Sequence, residues 1–284
     1  MKIHYLGTAA AEGVPAVFCN CDYCRGLRER IAAGRAGHEV RSRSQVILDD
    51  ELSVDFPPDA YSHAVAQGVD LSAIKYLIVT HAHMDHFYAY DFILRGYKYA
   101  YGMTAPKLTI FGNEEVCDVF REDTRREMKD CVNLNLEIVP VAPFTKVSFG
   151  DWNIYSVPAH HSSKEPLLYL IEREDKRVLH LTDTGRIPEE SIRFLAQIAK
   201  RVDLVTLDCT FLWQMSDPLA RHMDVRECAN TVERLKKAGV ADEQTIKVIT
   251  HFSHNSAPSD EAVERAQREY GFLAAYDGMK LDIQ

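Results

Sequence analysis

One short segment restricts the fold of this chain more than any other. Residues 74–80 are mostly apolar with several β-branched side chains, which predicts a buried strand. The run stops abruptly at three imidazoles and a carboxylate within six residues, so the strand delivers polar groups to its edge. In a protein interior such groups are costly without partners, and Zn²⁺, Mn²⁺ or Fe²⁺ suits them. The alternative, a polar loop with incidental histidines, needs three separate coincidences of residue type and spacing. The four side chains are His81, His83, Asp85 and His86.

The same arrangement recurs at three later points of the chain. An apolar run over 154–159 leads to two adjacent histidines, a run over 177–182 leads to Asp183, and a run over 246–250 leads to His251. Taken singly, a histidine at a strand end is usually a satisfied polar residue, and Asp-Thr-Gly is ordinarily a turn. Together, four strands that end in histidine or aspartate indicate one converging metal site.

Cysteines form a second cluster, near the N-terminus. Cys19, Cys21 and Cys24 fall within six residues and supply three thiolates, one fewer than the four ligands of a closed structural zinc site. His254, three residues after His251, is the predicted fourth ligand. The alternative is three free thiols at the start of a helix. The isolated cysteines are interpreted as small buried hydrophobes; they are Cys117, Cys131, Cys209 and Cys228.

Composition narrows the class of protein and of partner. With 284 residues, 46% of them hydrophobic and 26% charged, and without internal repeats or linker-like stretches, the chain predicts a single domain over 1–284. The 33 Lys and Arg residues against 42 Asp and Glu give a net charge of −9, which disfavours a long nucleic acid as partner. No apolar run approaches the ~20 residues of a membrane span, and no signal-like segment opens the chain. We therefore expect a cytoplasmic protein without membrane contact.

Strand-like and helix-like patterns alternate along the chain. Both halves are rich in strands and contain helices, which predicts an α/β (α+β) fold of two mixed sheets packed together and covered by helices. Strands are expected at 2–6, 44–48, 52–55, 76–80, 107–111, 137–139, 146–149, 152–157, 167–172, 177–182, 204–207 and 247–250. Helices are expected at 21–33, 58–66, 113–130, 188–199 and 225–237.

These motifs resemble the metallo-β-lactamase superfamily, whose signature is H-x-H-x-D-H followed by a later histidine, an aspartate and a last histidine. Leu6-Gly7-Thr8 and an aspartate after a strand, Asp55, also match its opening. The resemblance implies a four-layer αββα sandwich. It also implies that His81, His83 and His161 hold one metal, that Asp85, His86 and His251 hold a second, and that Asp183 bridges them. His161 is preferred to His160 because the family's ligand typically lies three residues after such a proline; a one-residue insertion would favour His160.

Within the superfamily, the cysteine cluster and Thr-His-x-x-His near the end resemble the branch that contains the cyclic-phosphate phosphodiesterase of the carbon-phosphorus lyase pathway. Arg221-His222-Met223-Asp224 is a further match. The resemblance implies that His222 is a general acid, whereas by itself it could be a surface histidine at the start of a helix. The aromatic segment 87–101 maps onto no motif of the family, and two roles stay open for it: lining a substrate pocket or packing in the core.

The function implied is that of a dinuclear metal-dependent hydrolase with two catalytic Zn or Mn ions and one structural Zn. We expect a phosphodiesterase that cleaves a small, cyclic diester such as a phosphoribosyl cyclic phosphate with metal-activated water. Asp85 and Asp183 would hold the metal pair, and His222 would protonate the leaving group. One alternative is a transfer-RNA 3′-processing endonuclease, which the net charge disfavours. Another is a lactonase or other ester hydrolase, which needs an oxyanion site in place of a phosphate clamp. The oligomeric state, a homodimer included, is open.

Overall fold

Fourteen strands and seven helices organise the part of the chain that the structure, a computed structural model, describes, namely residues 1–199, 201–217 and 219–284. The strands are β1 (Lys2–Gly7), β2 (Gln45–Leu48), β3 (Leu52–Val54), β4 (Tyr76–Ile78), β5 (Leu108–Gly112), β6 (Leu136–Pro140), β7 (Lys146–Phe149), β8 (Trp152–Pro158), β9 (Leu167–Arg173), β10 (Lys176–Leu181), β11 (Leu204–Asp208), β12 (Ile246–Thr250), β13 (Leu273–Ala274) and β14 (Met279–Asp282). The helices are α1 (Asp22–Ala32), α2 (Ala60–Gln67), α3 (Glu114–Thr124), α4 (Asp130–Asn133), α5 (Glu189–Ile198), α6 (Val225–Lys237) and α7 (Asp260–Tyr270).

The strands form two seven-stranded mixed sheets. The first has the order β14-β1-β2-β3-β4-β5-β6 and the second the order β13-β12-β11-β10-β9-β8-β7. In the first sheet, pairing is antiparallel from β14 to β3 and parallel from β3 to β6. In the second, it is antiparallel from β7 to β10 and parallel from β10 to β13. Each sheet therefore has a parallel half whose strand ends meet at one edge.

Three hydrophobic cores define four layers. One core lies between the sheets and combines side chains of both, such as Tyr5 and Val54 with Trp152 and Val248. The outer face of the first sheet packs on α3 and on the segment 87–92, which precedes β5. The outer face of the second sheet packs on α5, α6 and α7. This αββα sandwich confirms the predicted fold class, because each sheet buries both faces.

Two tyrosines fasten the sheets to each other. Tyr5 and Thr206 share a hydroxyl hydrogen bond of 2.7 Å, and the Tyr169 hydroxyl donates to the Val79 carbonyl at 2.7 Å. Both phenols are fully buried, where an unpaired hydroxyl would be costly. These bonds fix how the two sheets meet close to the edge at which the predicted ligands lie.

The elements differ from expectation in a few places. All twelve predicted strands and five predicted helices have counterparts within a few residues, but the helix expected over 113–130 ends at Thr124, and α4 is a separate turn. The elements α7, β13 and β14 were not predicted. Cys131 is exposed, so the expectation of a small buried hydrophobe is wrong there, while the other three isolated cysteines are buried.

The aromatic segment 87–101 divides between core and surface. Phe87 and Phe92 are buried in the core of the first sheet's outer face, whereas Tyr99 and Tyr101 are exposed. Of the two open roles, packing in the core applies to its first part, and no residue of the segment lines the cavity beside the histidine cluster. In the described residues, no helix is long and apolar enough to cross a membrane.

Candidate metal centre

The histidine and aspartate side chains after four strands converge on one point between the sheets. Three groups of four side chains each bring their ligand atoms within 4.8 Å of one another and share Asp183. One of them combines Asp183 with Asp208, His222 and His251, and the other two consist of predicted metal ligands. The first sheet contributes the loop after β4. The second sheet contributes the segments after β8, β10 and β12; β10 and β12 are parallel to β11, which lies between them, so they end at the same edge of the sheet. The first group is His81, His83, His161 and Asp183, and the second is Asp85, His86, Asp183 and His251.

A single oxygen of Asp183 lies at the centre of both groups. Its Oδ2 is 3.2 Å from His81 Nε2, 3.3 Å from His161 Nε2 and 3.1 Å from His86 Nε2. The carboxylate is buried, so these short separations place it among nitrogen atoms of both groups. This is the position required of a bridging ligand.

The donor set fits divalent metal ions. Two ligands of one tetrahedral zinc ion, at ~2.0–2.1 Å from it, lie about 3.3 Å apart. His83 Nδ1 lies 2.9 Å from His81 Nε2 and 3.2 Å from His161 Nε2. Moreover, the buried Nε2 atoms of His86 and His251 form no hydrogen bond among the described residues, although Asp183 Oδ2 lies 3.1 Å and 3.9 Å from them. Buried nitrogens that face a shared carboxylate without a hydrogen bond to it are what a metal site requires.

Asp55 and Thr80 hold the first-sheet ligands in place. Asp55 Oδ2 accepts a 2.7 Å bond from His86 Nδ1, which leaves Nε2 of that ring for the metal. The same carboxylate accepts from the Thr80 backbone N–H at 2.8 Å, and the Thr80 hydroxyl lies 3.0 Å from His81 Nδ1. Asp55, identified in the sequence only as a family match, therefore fixes the orientation of one ligand directly and a second through Thr80.

Asp208, the last residue of β11, is a site residue that the sequence reasoning missed. Its Oδ2 lies 2.9 Å from His222 Nδ1 and 3.5 Å from His251 Nδ1, and the Thr210 hydroxyl lies 2.9 Å from the same nitrogen of His251. The carboxylate is completely buried. The same signal that identified the other site residues was present here, because Asp208 directly follows the strand-like run 204–207.

His222 lies between two carboxylates at the edge of the cluster. Its Nδ1 is 3.0 Å from Asp183 Oδ1 as well as 2.9 Å from Asp208 Oδ2. Burial alone would lower its pKa, but Asp208 and Asp183 together raise the pKa of His222 to about 11. The two carboxylates therefore favour the protonated ring and occupy its Nδ1, which leaves Nε2 outside these contacts.

Burial and charge act oppositely on other members of the cluster. Burial lowers the pKa of His161 to about 4 and also lowers that of His81. Burial would lower the pKa of His86 too, but the carboxylates of Asp85 and Asp55 raise it well above its usual value. Neutral imidazoles at His81 and His161 are the form that binds a metal.

Three site residues have the left-handed backbone conformation that non-glycine residues rarely adopt. Their φ angles are 62° for Asp55, 61° for Asp183 and 63° for His251. Each follows the end of a strand, and the left-handed turn redirects the chain so that the side chain points to the cluster. Such conformations cost on the order of 1–3 kcal/mol each and concentrate at functional sites.

The two adjacent histidines after β8 have different surroundings. His161 belongs to the first ligand group, whereas His160 lines a separate cavity with Arg186 and Arg234.

Gly185 allows a close approach of two loops, because a Cβ at this position would lie 1.9 Å from the Ala220 carbonyl oxygen. The Asp-Thr-Gly turn can therefore pack directly against the loop that carries His222.

The cysteine cluster lies apart from these residues, at the start of α1. His254 Nδ1 is 3.4 Å from Cys24 Sγ and 3.9 Å from Cys21 Sγ, and with Cys19 the four ligand atoms lie within 4.8 Å of one another. A sulfur and a nitrogen on one tetrahedral zinc ion are ~3.5 Å apart. The pKa of the Cys21 thiol is lowered to about 6 by hydrogen bonds from the Cys24 backbone and from the side chains of His254 and Cys19. The predicted fourth ligand therefore lies where a zinc site needs it.

Residues 53–252 match the family model described as "Beta-lactamase superfamily domain". The chain belongs to this superfamily. The match covers most of the chain and includes all residues of the histidine and aspartate cluster. The three clustered cysteines and His254 lie outside the matched range.

One curated relative and three solved structures match 99–100% of the chain. Coenzyme PQQ synthesis protein B from Methylorubrum extorquens is 22% identical over 100% of both chains. The solved Zn²⁺-bound PqqB from Methylobacterium extorquens has a TM-score of 0.73 at 18% identity and covers 99% of this chain and 100% of its own. A structure described as a new diphosphatase from the PhnP family has a TM-score of 0.72 at 23% identity, covering 100% and 98%. Human tRNase Z, short form, has a TM-score of 0.67 at 15% identity, covering 100% of both chains.

An open cavity lies beside the histidine and aspartate cluster. The cavity has a volume of about 370 Å³, within the range of small-molecule sites. Its walls combine cluster residues, including His83, Asp85 and His222, with polar residues from the loop after β1 and the segment after β12. A substrate in this cavity would therefore lie against both ligand groups and His222.

Proposed function

We propose that this superfamily hydrolase is a dinuclear metal-dependent phosphodiesterase that acts on a small, cyclic or open diester. The observation that carries the proposal is His222, held by two buried carboxylates at the edge of two ligand groups that share Asp183. Hydrolysis of a diester needs a nucleophile on one side of phosphorus and a proton for the leaving oxygen on the other. A metal pair with an adjacent protonated histidine meets both needs.

The residues divide between two ions. His81, His83 and His161 would hold one, and Asp85, His86 and His251 the other, with Asp183 between them. When bound, two divalent ions supply an activated water and neutralise charge on the phosphoryl oxygens. Asp55 keeps the His86 ring turned so that its Nε2 faces the site. Zinc is supported by the zinc-bound PqqB relative, and we propose a further structural zinc at the cysteine cluster.

His222 would give its Nε2 proton to the departing alkoxide. Asp208 and Asp183 occupy its Nδ1 and stabilise the protonated ring, so that Nε2 is the nitrogen available to the substrate. After the proton has left, the same two carboxylates favour its return from solvent. This is the role of a general acid, so the contribution of His222 to the rate should increase with the basicity of the leaving group.

Among the relatives, the PhnP-family diphosphatase supports chemistry at phosphorus. tRNase Z makes a transfer-RNA endonuclease the second candidate, because its fold covers the whole chain. The net charge of −9 favours a small substrate over a long polyanion. We accordingly propose a small diester as the partner and no lasting contact with nucleic acid or membrane.

The test combines metal analysis with a substrate panel. The purified protein should contain about three metal ions per chain and should hydrolyse bis(4-nitrophenyl) phosphate, with activity lost on chelation and restored by Zn²⁺ or Mn²⁺. Under the same conditions a γ-lactone, a chromogenic cephalosporin and a transfer-RNA precursor should be turned over far more slowly. Preferred turnover of the lactone or the cephalosporin by the metal-loaded protein would contradict the proposal, and preferred turnover of the precursor would favour the endonuclease.

A further inference from the structure

One carboxylate in the wall of the catalytic cavity belongs to neither ligand group. Glu12, in the loop after β1, lines the cavity together with His83, Asp183 and His222. It is not among the groups of side chains close enough to hold a metal. Its side chain is 30% exposed, and no described residue donates a hydrogen bond to its Oε2. The cavity thus contains an acceptor that the proposed mechanism does not use.

The segment after β12 holds this carboxylate from one side. The Ser253 hydroxyl donates to Glu12 Oε1 at 2.6 Å, and His254 Nε2 lies 3.9 Å from the same oxygen. Ser253 is buried, and the loop itself is fixed to this segment by a backbone bond of 3.0 Å from Ala10 N–H to the Phe252 carbonyl. One oxygen of Glu12 is engaged in this way, and the other remains available as an acceptor on a residue that lines the cavity.

A carboxylate in this position repels a phosphate group, so it must face the organic part of a diester substrate. We propose that Glu12 accepts a hydrogen bond from a hydroxyl of that organic part, and that the enzyme therefore prefers diesters of a sugar or polyol. This inference rests on the proposed phosphodiesterase function. It extends that function by naming the residue that would select the substrate class.

The cavity favours a hydroxyl over a cation as the group that Glu12 binds. Sites for quaternary ammonium groups surround the cation with aromatic faces. Apart from the imidazoles, Phe211 is the one aromatic residue among the described residues that line this cavity. Three neutral polar residues, Ser162, Ser253 and Asn255, also line the cavity, and Ser253 contacts Glu12 directly. Neutral donors and acceptors beside a carboxylate suit the hydroxyls of a polyol.

Three diesters with a common 4-nitrophenolate leaving group test this assignment. Their second substituents are 2,3-dihydroxypropyl, propyl and choline, so that they differ in hydroxyls or cation and not in leaving group. The wild-type enzyme should favour dihydroxypropyl over propyl in kcat/KM by roughly 10- to 100-fold, as expected for a hydrogen bond to a charged group. In Glu12→Gln and Glu12→Ala this ratio should fall to less than ~3.

The matched control is Glu261→Gln, an exposed glutamate in the first turn of α7, which should keep the wild-type ratio. Glu12→Gln conserves size and an acceptor for Ser253, so it should fold even if Glu12→Ala does not. The preference ratio separates substrate binding from a purely structural role beside His254, which would lower zinc content and Tm but not the ratio. An unchanged ratio in Glu12→Gln, or a wild-type preference for the choline diester, would overturn the inference. Failure of the wild type to cleave any of the three would instead contradict the phosphodiesterase function.

Discussion

The two metal-type clusters of this protein are built in opposite ways. The histidine and aspartate cluster takes its members from four strand ends in both sheets, and nearly all of them are buried. The cysteine cluster takes three members from six consecutive residues at the start of α1, with Cys21 exposed. In the first, buried carboxylates hold the ligand rings through their second nitrogens. In the second, the backbone bonds to Cys19 and Cys24 are long, with N–H donors 3.4 Å from each sulfur.

This difference predicts that the histidine and aspartate cluster serves catalysis and that the cysteine cluster serves stability. A cluster that has an open cavity beside it and most of its rings oriented by a second contact suits the proposed activation of water and transfer of a proton. A nearly closed set of thiolates and one imidazole leaves no position for a substrate, so its metal would serve to hold the N-terminal segment against the segment after β12. Removing members of the two clusters should therefore give opposite ratios of lost activity to lost stability.

The largest loss of activity is expected from Asp183→Asn and His83→Ala. Each removes a proposed ligand at a strand end without opening the core, and asparagine tolerates the left-handed φ of 61° at position 183. Loss of several kcal/mol of charge stabilisation corresponds to at least roughly 10³-fold in kcat/KM for diester hydrolysis. Asp175→Asn, in the exposed turn before the same strand, is the control. A folded Asp183→Asn protein that keeps most wild-type turnover would exclude Asp183 as the shared ligand.

His222→Ala should have the next largest effect, and one that depends on the leaving group. Protonation by a general acid is typically worth ~10²- to 10⁴-fold when an alkoxide departs, whereas a nitrophenolate needs little help. The loss in kcat on a ribosyl cyclic phosphate should exceed that on a nitrophenyl diester, with metal content unchanged. Asp208→Asn should show the same dependence on the leaving group with a smaller loss, because it removes one of the two carboxylates that stabilise the protonated His222 ring. Equal losses on both substrates would make His222 a binding or structural residue, and loss of metal would make it a ligand. His160→Ala, on the neighbouring cavity, provides the control.

Cys21→Ser should have the smallest effect on activity and the largest on stability. It should remove about one equivalent of zinc and lower Tm by roughly 5–10 °C, as expected for the loss of a few kcal/mol from a chain of this size. Turnover of a nitrophenyl diester should change by less than about threefold, since Cys21 does not line the catalytic cavity. The comparison is with Cys131→Ser, an exposed thiol outside the cluster. Full zinc content and an unchanged Tm in Cys21→Ser would show that these thiols are not ligands.

Much of the fold follows from local patterns, and the parts that do not have physical reasons. Apolar β-branched runs predicted twelve strands because strands buried on both faces are continuous in hydrophobicity. The two-residue strand β13 and the polar strand β14 have no such signal. Helix α7 is mostly charged, but Ser259, whose side chain caps its first turn, and Gly271 at its end were usable start and stop signals.

For the candidate site, the sequence predicted which residues converge but not how they are held. Strand-end positions pointed to one converging site, and the family resemblance supplied its division into two ligand groups. The contacts of Asp208 with His222 depend on a loop of thirteen intervening residues, and no local spacing encodes that approach. The choice between His160 and His161 likewise depends on the backbone of the turn after β8, where one residue of phase decides which ring faces the cluster.

Because the ligands of each group come from both sheets, the centre forms only after the two halves of the chain have docked. His81 and His161, for example, are 80 positions apart in sequence and belong to loops of different sheets. Contacts of such long range form late in folding, since loop closure must precede them. We therefore expect the metals to enter a nearly finished protein, and the cysteine cluster, three of whose four members are local, to collect its ion earlier. The order of loading would thus be set by topology and not by affinity.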